Sequence, residues 1–292
     1  MFIDGTDTLL TRTFLHLPHI GPQRERHYWE KSVLCWDDLL GQRDLFDESP
    51  PSPLENELAL SRQKLAQGDA RWFDERLGPE HAWRMAADFD DGRIGYLDIE
   101  TDGSPGDHLP DGAERPGGTT VLSVWDGIRA RVFVRGEEMD ELPRYLSRYK
   151  VLCTFNGKSF DIPYLEHCYG KGFFKGAHLD LRPITRAVGL TGGLKKIEKL
   201  IGVQRPKAIA HYTGWDAVKL WGAFKRGRTD ALEPLSRYNL ADTVNLQTVM
   251  RAAYNQAITL HNLPFRKFDL LKEEGADEAI ERAIKQLMGK VL

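Results

Sequence analysis

A chain of 292 residues with 41% hydrophobic and 28% charged residues is long enough for one sizeable α/β core with smaller appendages, and it excludes a fibrous or wholly disordered protein. A formal net charge of −3 excludes binding of a polyanion through bulk charge, so any such contact needs a local basic patch. The three cysteines, Cys35, Cys153 and Cys168, are odd in number and form no C-x-x-C pair, which argues against a disulfide framework or a structural zinc site and leaves core thiols as the expectation.

The first residues, Met-Phe-Ile-Asp-Gly-Thr-Asp, are acidic where a secretory leader is basic and then apolar, and no stretch approaches the roughly 18 apolar residues of a membrane span. A cytoplasmic protein with no membrane partner is expected. Residues 12–41 predict two short helices, with Leu17-Pro18-His19-Ile20-Gly21-Pro22 as the turn before the first and Val33-Leu34-Cys35-Trp36 leading into the second. Tyr28, Trp29 and Trp36 there read as core rather than as a base-stacking platform. Asp47 to Pro53 is a breaker-rich linker, and residues 54–78 show helical spacing through Leu58, Leu60, Leu65 and Phe73.

From Arg93 the period changes to that of strands. Residues 94–100, 120–125 and 130–134 read as three successive strands, the last two joined at the Asp126-Gly127 turn, which suggests a meander. A helix over 137–149, a strand over 151–155, a helix over 159–169 and a short strand over 178–181 follow, giving a mixed sheet covered by helices. Further helices are predicted over 194–201, 215–224, 232–254 and 277–288. Residues 102–118, rich in Gly, Pro and Asp, read as a long mobile loop directly after the first strand.

Asp98 and Glu100 stand two apart at the end of an apolar strand, so both side chains leave the sheet on one face. Two carboxylates about 4 Å apart repel by roughly 4 kcal/mol at an effective dielectric near 20, so a cation must compensate; a strand end meeting solvent carries such a pair without consequence. Asp161 follows Asn156-Gly157-Lys158-Ser159-Phe160 in the first turn of a helix that Ser159 is placed to cap, where a carboxylate also serves the helix dipole. Tyr238 and Asp242, four apart on a predicted helix, share a face; a partly buried helix tyrosine is the plain alternative for Tyr238. Between residues 182 and 228 the basic residues Arg182, Arg186, Lys195, Lys196, Lys199, Arg205, Lys207, Lys219, Lys225, Arg226 and Arg228 are accompanied only by Glu198 and Asp216. That run is either a set of solvated helix faces or a patch for a polyanion.

The order Tyr96-Leu97-Asp98-Ile99-Glu100-Thr101, then Thr154-Phe155-Asn156-Gly157-Lys158-Ser159-Phe160-Asp161, then Tyr238-Asn239-Leu240-Ala241-Asp242 resembles the DEDD exonuclease superfamily, the DnaQ-like branch of ribonuclease H-like folds. Together with Leu194-Lys195-Lys196-Ile197-Glu198-Lys199-Leu200-Ile201-Gly202, it is most similar to the YprB-type ribonuclease H-like domain. The resemblance covers residues 93–252 and implies an α/β fold, a ribonuclease H-like mixed five-stranded sheet flanked by helices, with a small helical N-terminal module. It implies two Mg²⁺ or Mn²⁺ ions as cofactor, one held by Asp98, Glu100 and Asp242 and the second by Asp98 and Asp161, together activating water and steadying the leaving oxygen. Tyr238 matches the tyrosine that orients the attacking water, at a position where YprB-type relatives carry His. Thr101, Asn156, Lys158 and Phe160 match positions bordering the substrate, with a core anchor as the other role for Phe160. Asp180 is left to a structural hydrogen bond at a strand end.

The implied activity is hydrolysis of phosphodiester bonds in DNA or RNA, as a 3′-to-5′ exonuclease on single strands. A nucleic-acid-binding or scaffold module that keeps the fold without cutting, and a structure-specific endonuclease, stay open. The expected organisation is a helix-hairpin-helix-like module over 1–45, a linker and helical segment over 46–90, the ribonuclease H-like exonuclease domain over 91–255 and a C-terminal helical tail over 256–292. The N-terminal module resembles a degenerate helix-hairpin-helix in which His19-Ile20-Gly21 replaces the Gly-hydrophobic-Gly turn, so that a side chain stands where backbone amides would approach a phosphate.

Overall fold

The computed structural model describes residues 8–41, 52–103, 118–263, 266–270 and 273–291. The expected loop after the first strand and the expected Asp47–Pro53 linker lie largely outside these residues. Among the described residues, five α-helices precede the sheet: α1 (Pro22–Glu30), α2 (Trp36–Leu40), α3 (Pro53–Ala66), α4 (Ala70–Asp74) and α5 (Ala86–Phe89). Strands β1 (Ile94–Thr101), β2 (Thr119–Trp125) and β3 (Ala130–Val134) are followed by α6 (Leu142–Leu146), β4 (Val151–Thr154), α7 (Asp161–Tyr169), β5 (Ala177–Asp180) and α8 (Leu181–Ala187). The chain then runs through α9 (Leu194–Leu200), α10 (Gly214–Lys225), α11 (Leu232–Leu260) and α12 (Glu273–Val291).

The sheet order is β3-β2-β1-β4-β5. β2 runs antiparallel to both of its neighbours, whereas β4 is parallel to β1 and to β5. The expected mixed five-stranded sheet flanked by helices is therefore what forms. Central β1 is covered on both faces, because Ile94 and Tyr96 enter the large core that includes α11, while Leu97 and Ile99 enter a second core with Leu142, Leu146 and Leu165. Period-two alternation thus sends Asp98 and Glu100 toward the face that α11 covers.

A stripe of polar residues at helix spacing fixes how α11 lies on the sheet. Asn239, Thr243 and Gln247 are four apart and share one face. The Asn239 amide donates to the Asp98 carbonyl at 3.1 Å, Thr243 shares a hydrogen bond with Ser123 at 2.5 Å, and Gln247 accepts from the Trp125 indole at 2.9 Å. Farther along, buried Asp90 accepts from Gln247, from Arg251 and from the Tyr96 phenol. Directional bonds of this kind specify axial position in a way that apolar packing does not.

Several boundaries differ from the sequence expectation for local reasons. The helix expected over 54–78 breaks after Ala66, where Gly68 adopts a left-handed φ of 63° and Asp69 restarts the chain by accepting the Trp72 amide at 3.2 Å. The helix expected over 137–149 is a 3-10 turn at Glu138–Glu141 followed by the short α6. Of the three expected core thiols only Cys153 is buried; Cys35 is intermediate and Cys168 exposed, because helix ends place them at the surface.

The N-terminal segment shares its core with the sheet. Phe14, Trp36, Phe73 and Trp83 belong to the same buried cluster as Tyr96, Leu240 and Tyr254. A buried ion pair bolts the segment down: Arg84 donates to Glu25 at 2.8 and 3.1 Å and to the Thr13 hydroxyl at 2.7 Å, and Glu25 also accepts the Phe14 amide at 2.8 Å. His19, at the first turn position, has a φ of 62°, the left-handed conformation that glycine adopts without strain. That turn precedes α1, and among the described residues only the 3-10 turn Leu10–Arg12 comes before it. Among the described residues no helix is long and apolar enough to cross a membrane.

Removing one partner of the buried pair strands the other charge in the core. Arg84→Ala is expected to lower the unfolding free energy by about 3–5 kcal/mol, measured by urea denaturation; a loss below about 1 kcal/mol would show that the bolt contributes little.

Candidate active site

The pairing of β1 with β4 stops at Tyr96↔Cys153, while β1 continues to Thr101. Asp98 and Glu100 therefore lie beyond the carboxyl end of their parallel neighbour, in the kind of crevice where open α/β sheets bind ligands. The amide of Ile99, between the two carboxylates, donates instead to the carboxylate of Asp161, the first residue of α7. Asp242 arrives from α11, and one oxygen from each of Asp98, Glu100 and Asp242 lies within 4.8 Å of the others. Asp161 stands outside that trio, yet its charge raises both Asp98 and Glu100. Four carboxylates far apart in the chain are thus gathered around the end of β1.

Burial is the largest effect on all four carboxyls, and it favours their protonated forms. Asp98 is raised further by Asp242, Asp161 and Glu100, with Arg205 opposing. Asp161 is pushed up to about 7 against the pull of the two amides it accepts. Two cations offset the repulsion. Arg205, its side chain only 6% exposed, donates from Nε and Nη2 to the two oxygens of buried Glu198 at 2.6 and 2.7 Å, and from Nη2 to Asp242 Oδ1. The Lys195 ammonium lies 4.9 Å from the centre of the Tyr238 ring and donates to the Tyr212 carbonyl. Asn245 donates to Glu198 at 2.9 Å, and Asn239 to Asp98 Oδ2 at 2.8 Å.

The chemistry of this donor set fits a hard divalent cation. Only carboxylate oxygens converge, with no histidine or thiol among the trio, which suits Mg²⁺ or Mn²⁺ rather than a softer metal. Among the described residues, Arg205 and Lys195 are the cations whose charges pull down the carboxyls of this cluster, Arg205 at Asp98 and both at Glu100 and Asp242. Two buried atoms there have no hydrogen-bond partner among the described residues, Arg205 Nη1 and Asn239 Oδ1.

Tyr238 is 6% exposed. Its phenol is raised above its ordinary value first by burial and then by the charges of Asp242, Glu100 and Asp98. It stays protonated at neutral pH.

The turn before Asp161 is held by Asp180, whose carboxylate accepts the amides of Asn156, Lys158 and Arg182 at 2.7, 3.1 and 3.0 Å. Asn156 is left-handed at φ 67°, and a Cβ on Gly157 would sit 2.1 Å from Thr154 Oγ1, so only glycine fits there. Ser159 is not the cap of α7. The residue before the helix is Phe160, with no side-chain cap, and the Ser159 amide closes the turn onto the Asn156 carbonyl at 3.1 Å. Nor is Phe160 a core anchor: it is 40% exposed, with its ring 4.9 Å from that of Tyr164. Asn156 Oδ1 accepts from Arg182 at 2.7 Å, Lys158 lies 3.7 Å from Asp74, and Thr101 ends β1 just past a register shift.

Sequence reasoning assigned no site role to Glu198, Asn239 and Asn245, and placed Lys195 and Arg205 in a general basic run. Asn239, Asp242 and Asn245 recur every three residues on one helix face, a signal that was available. Nothing local betrays Arg205, which comes from an aperiodic loop and has a side chain only 6% exposed, whereas Arg182, Lys196, Lys199, Lys207, Lys219 and Arg226 of the same run are exposed.

The folded carboxylates hold protons that the unfolded chain has already released, so their contribution to metal-free stability falls as pH rises between 3.8 and about 7, the window set by Asp161. Asp98→Asn removes one repelling charge and keeps an acceptor for Asn239. In the presence of chelator its melting temperature is expected to exceed that of the wild type by a margin that widens from about pH 5 to about pH 8. An equal or lower melting temperature throughout would show that the charges are not in conflict.

Among solved structures, the family B DNA polymerase from the hyperthermophilic archaeon Pyrobaculum calidifontis is similar at 16% identity and a TM-score of 0.39, over 56% of this chain and 25% of that one. The chain thus spans about a quarter of the polymerase's length. Curated proteins give no significant match. The sequence profile RNase_H_2, described as the RNase_H superfamily, matches residues 95–254, which takes in β1 through most of α11 and more than half of the chain. With its sheet, its crevice and this match in agreement, the chain belongs to the RNase H superfamily.

Proposed function

We propose that this protein is a divalent-metal-dependent nuclease that hydrolyses phosphodiester bonds of DNA or RNA, acting from 3′ to 5′ on single strands. The observation that carries the reading is the trio Asp98, Glu100 and Asp242, buried or partly buried, with oxygens within 4.8 Å of one another at the carboxyl end of the central strand. Membership of the RNase H superfamily supports it. The motif order supports the finer placement as a DEDD-type exonuclease similar to the YprB type, with residues 91–255 as the catalytic unit and residues 1–45 as a helix-hairpin-helix-like appendage.

Asp98, Glu100 and Asp242 would hold one Mg²⁺ or Mn²⁺, and Asp98 with Asp161 a second. Bound there, the ions supply Lewis-acid stabilisation of the charge that builds on the phosphate oxygens and lower the acidity barrier for the attacking water. The remaining work falls to the chain. Asn239 fixes the rotamer of Asp98 by donating to its Oδ2, so that the carboxylate shared by both sites is set before substrate arrives. Tyr238, kept as a neutral phenol, donates or accepts a hydrogen bond to orient water without taking its proton. Asp180 holds the turn that carries Asn156, Lys158 and Phe160 toward the mouth of the site. The exposed Phe160 ring offers a face on which a base stacks. The exposed lysines and arginines between 182 and 228 supply the cationic track for the backbone.

The test is a panel of end-labelled single-stranded, duplex and circular DNA and RNA substrates with Mg²⁺ or Mn²⁺. Asp98→Ala and Asp242→Asn are each expected to lower the rate by about 10³-fold or more, equivalent to roughly 4 kcal/mol, with circular dichroism unchanged. Cleavage at wild-type rates by either variant would sink the assignment. Cutting of circular substrates would replace the exonuclease with an endonuclease.

A further inference from the structure

Arg205 is the cation of this site whose bonding is incomplete among the described residues. A guanidinium is a rigid planar fork with five N–H donors. One edge of the fork, Nε and Nη2, is engaged side-on by the two oxygens of Glu198. The second N–H of Nη2 lies on the adjacent edge, which it shares with Nη1, and it reaches Asp242 Oδ1. Planarity therefore aims one N–H of Nη1 in the same direction, toward the carboxylates. Nη1 is buried and has no partner among the described residues, on a side chain only 6% exposed.

A buried donor without an acceptor is costly, and charged donors most of all. Glu198 gains support in turn from Asn245 of α11 at 2.9 Å, so the fork is held from behind while its free tip meets the site. Asp242 sits between the fork and the other two members of the acidic trio. An anion drawn to that trio through divalent cations would bring its oxygens to the same mouth. The ligand that completes this arrangement has an acceptor oxygen bearing negative charge.

We infer that Arg205 is the phosphate-binding cation of this site, clamped by Glu198 so that Nη1 donates to a non-bridging oxygen of the phosphate undergoing attack. The inference rests on the phosphodiester reading of the carboxylate cluster. It gives Glu198 the part of a positioning residue and Arg205 that of a substrate contact. It also accounts for a buried arginine beside a centre that binds divalent cations. Its charge is bonded to Glu198 and to one oxygen of Asp242, leaving the other Asp242 oxygen for metal and Nη1 for substrate.

The experiment separates this inference from the nuclease reading. Binding of thymidine 5′-monophosphate to the full chain is measured by titration calorimetry with Mg²⁺, for the wild type, Arg205→Lys and Glu198→Gln. Cleavage of labelled single-stranded DNA is followed in parallel. Arg205→Lys keeps the charge and loses the fork. It is expected to weaken monophosphate binding about 10-fold or more, while Mn²⁺ affinity measured by electron paramagnetic resonance stays within about 3-fold of the wild type. Glu198→Gln keeps the arginine and loosens its clamp, with an expected weakening of about 5-fold. It carries the test if the lysine variant does not fold.

Monophosphate bound equally by the wild type and Arg205→Lys, or not bound by the wild type at all, overturns the inference. Cleavage by Arg205→Lys at the wild-type rate, with Asp98→Ala inactive, overturns it and leaves the nuclease reading standing. Arg205-dependent monophosphate binding by a protein that cuts no substrate supports Arg205 as a phosphate contact and overturns both the nuclease reading and attack at that phosphate.

Discussion

The structure depends on holding mutually repelling carboxylates together out of water. Each of Asp98, Glu100, Asp161 and Asp242 is raised by burial first, a cost that no hydrophobic contact removes. What makes the arrangement tolerable is the set of fixed donors around it. The Ile99 amide lies on β1 beyond the end of its pairing with β4, the Asn239 amide is carried by α11, and Arg205 comes from the loop after α9. Each is directional and each comes from a different element, so the cluster persists only when sheet, helix and loop are all in place.

That dependence explains why α11 is attached to the sheet by hydrogen bonds as well as by apolar packing. Leucine and valine contacts allow a helix to slide or roll by small amounts at little cost. The bonds from Asn239, Thr243 and Gln247 to three separate sheet residues do not. Asp242 lies within the same helical turns and inherits their precision, which is what a carboxylate needs to meet oxygens from β1 at a set separation. The core of the protein is thus polar along one seam, in service of a site and at the expense of simple packing.

Much of this was legible before any coordinates. The strand period, the meander turn at Asp126-Gly127 and the helical spacing through α9 to α12 identify the sheet and its cover, because buried faces impose periods of two and 3.6. The spacing of Asp98 with Glu100 and of Tyr238 with Asp242 placed each pair on one face. The rest was hidden for stated reasons. Ser159 has the composition of a cap, but tertiary bonds from Asp180 set the turn in a conformation that puts Phe160 next to the helix. Cys168 looks apolar, but falls on the outer face of a short helix. Arg205 lies where the chain has no period at all, and its partners Glu198 and Asp242 are fixed only by the tertiary fold.

The anchoring of residues 8–41 carries a practical meaning for anyone dissecting the protein. The boundary proposed near residue 91 cuts through one shared core. Trp83 rests edge-on against Tyr254 of α11 with ring centres 5.7 Å apart, and Asp74 accepts the His178 amide of edge strand β5 at 2.9 Å. A fragment trimmed to the α/β portion would lay bare an aromatic-lined surface and an unprotected strand edge, both invitations to self-association. Expression of a minimal catalytic piece therefore has to retain the segment ahead of it, whatever that segment does with nucleic acid.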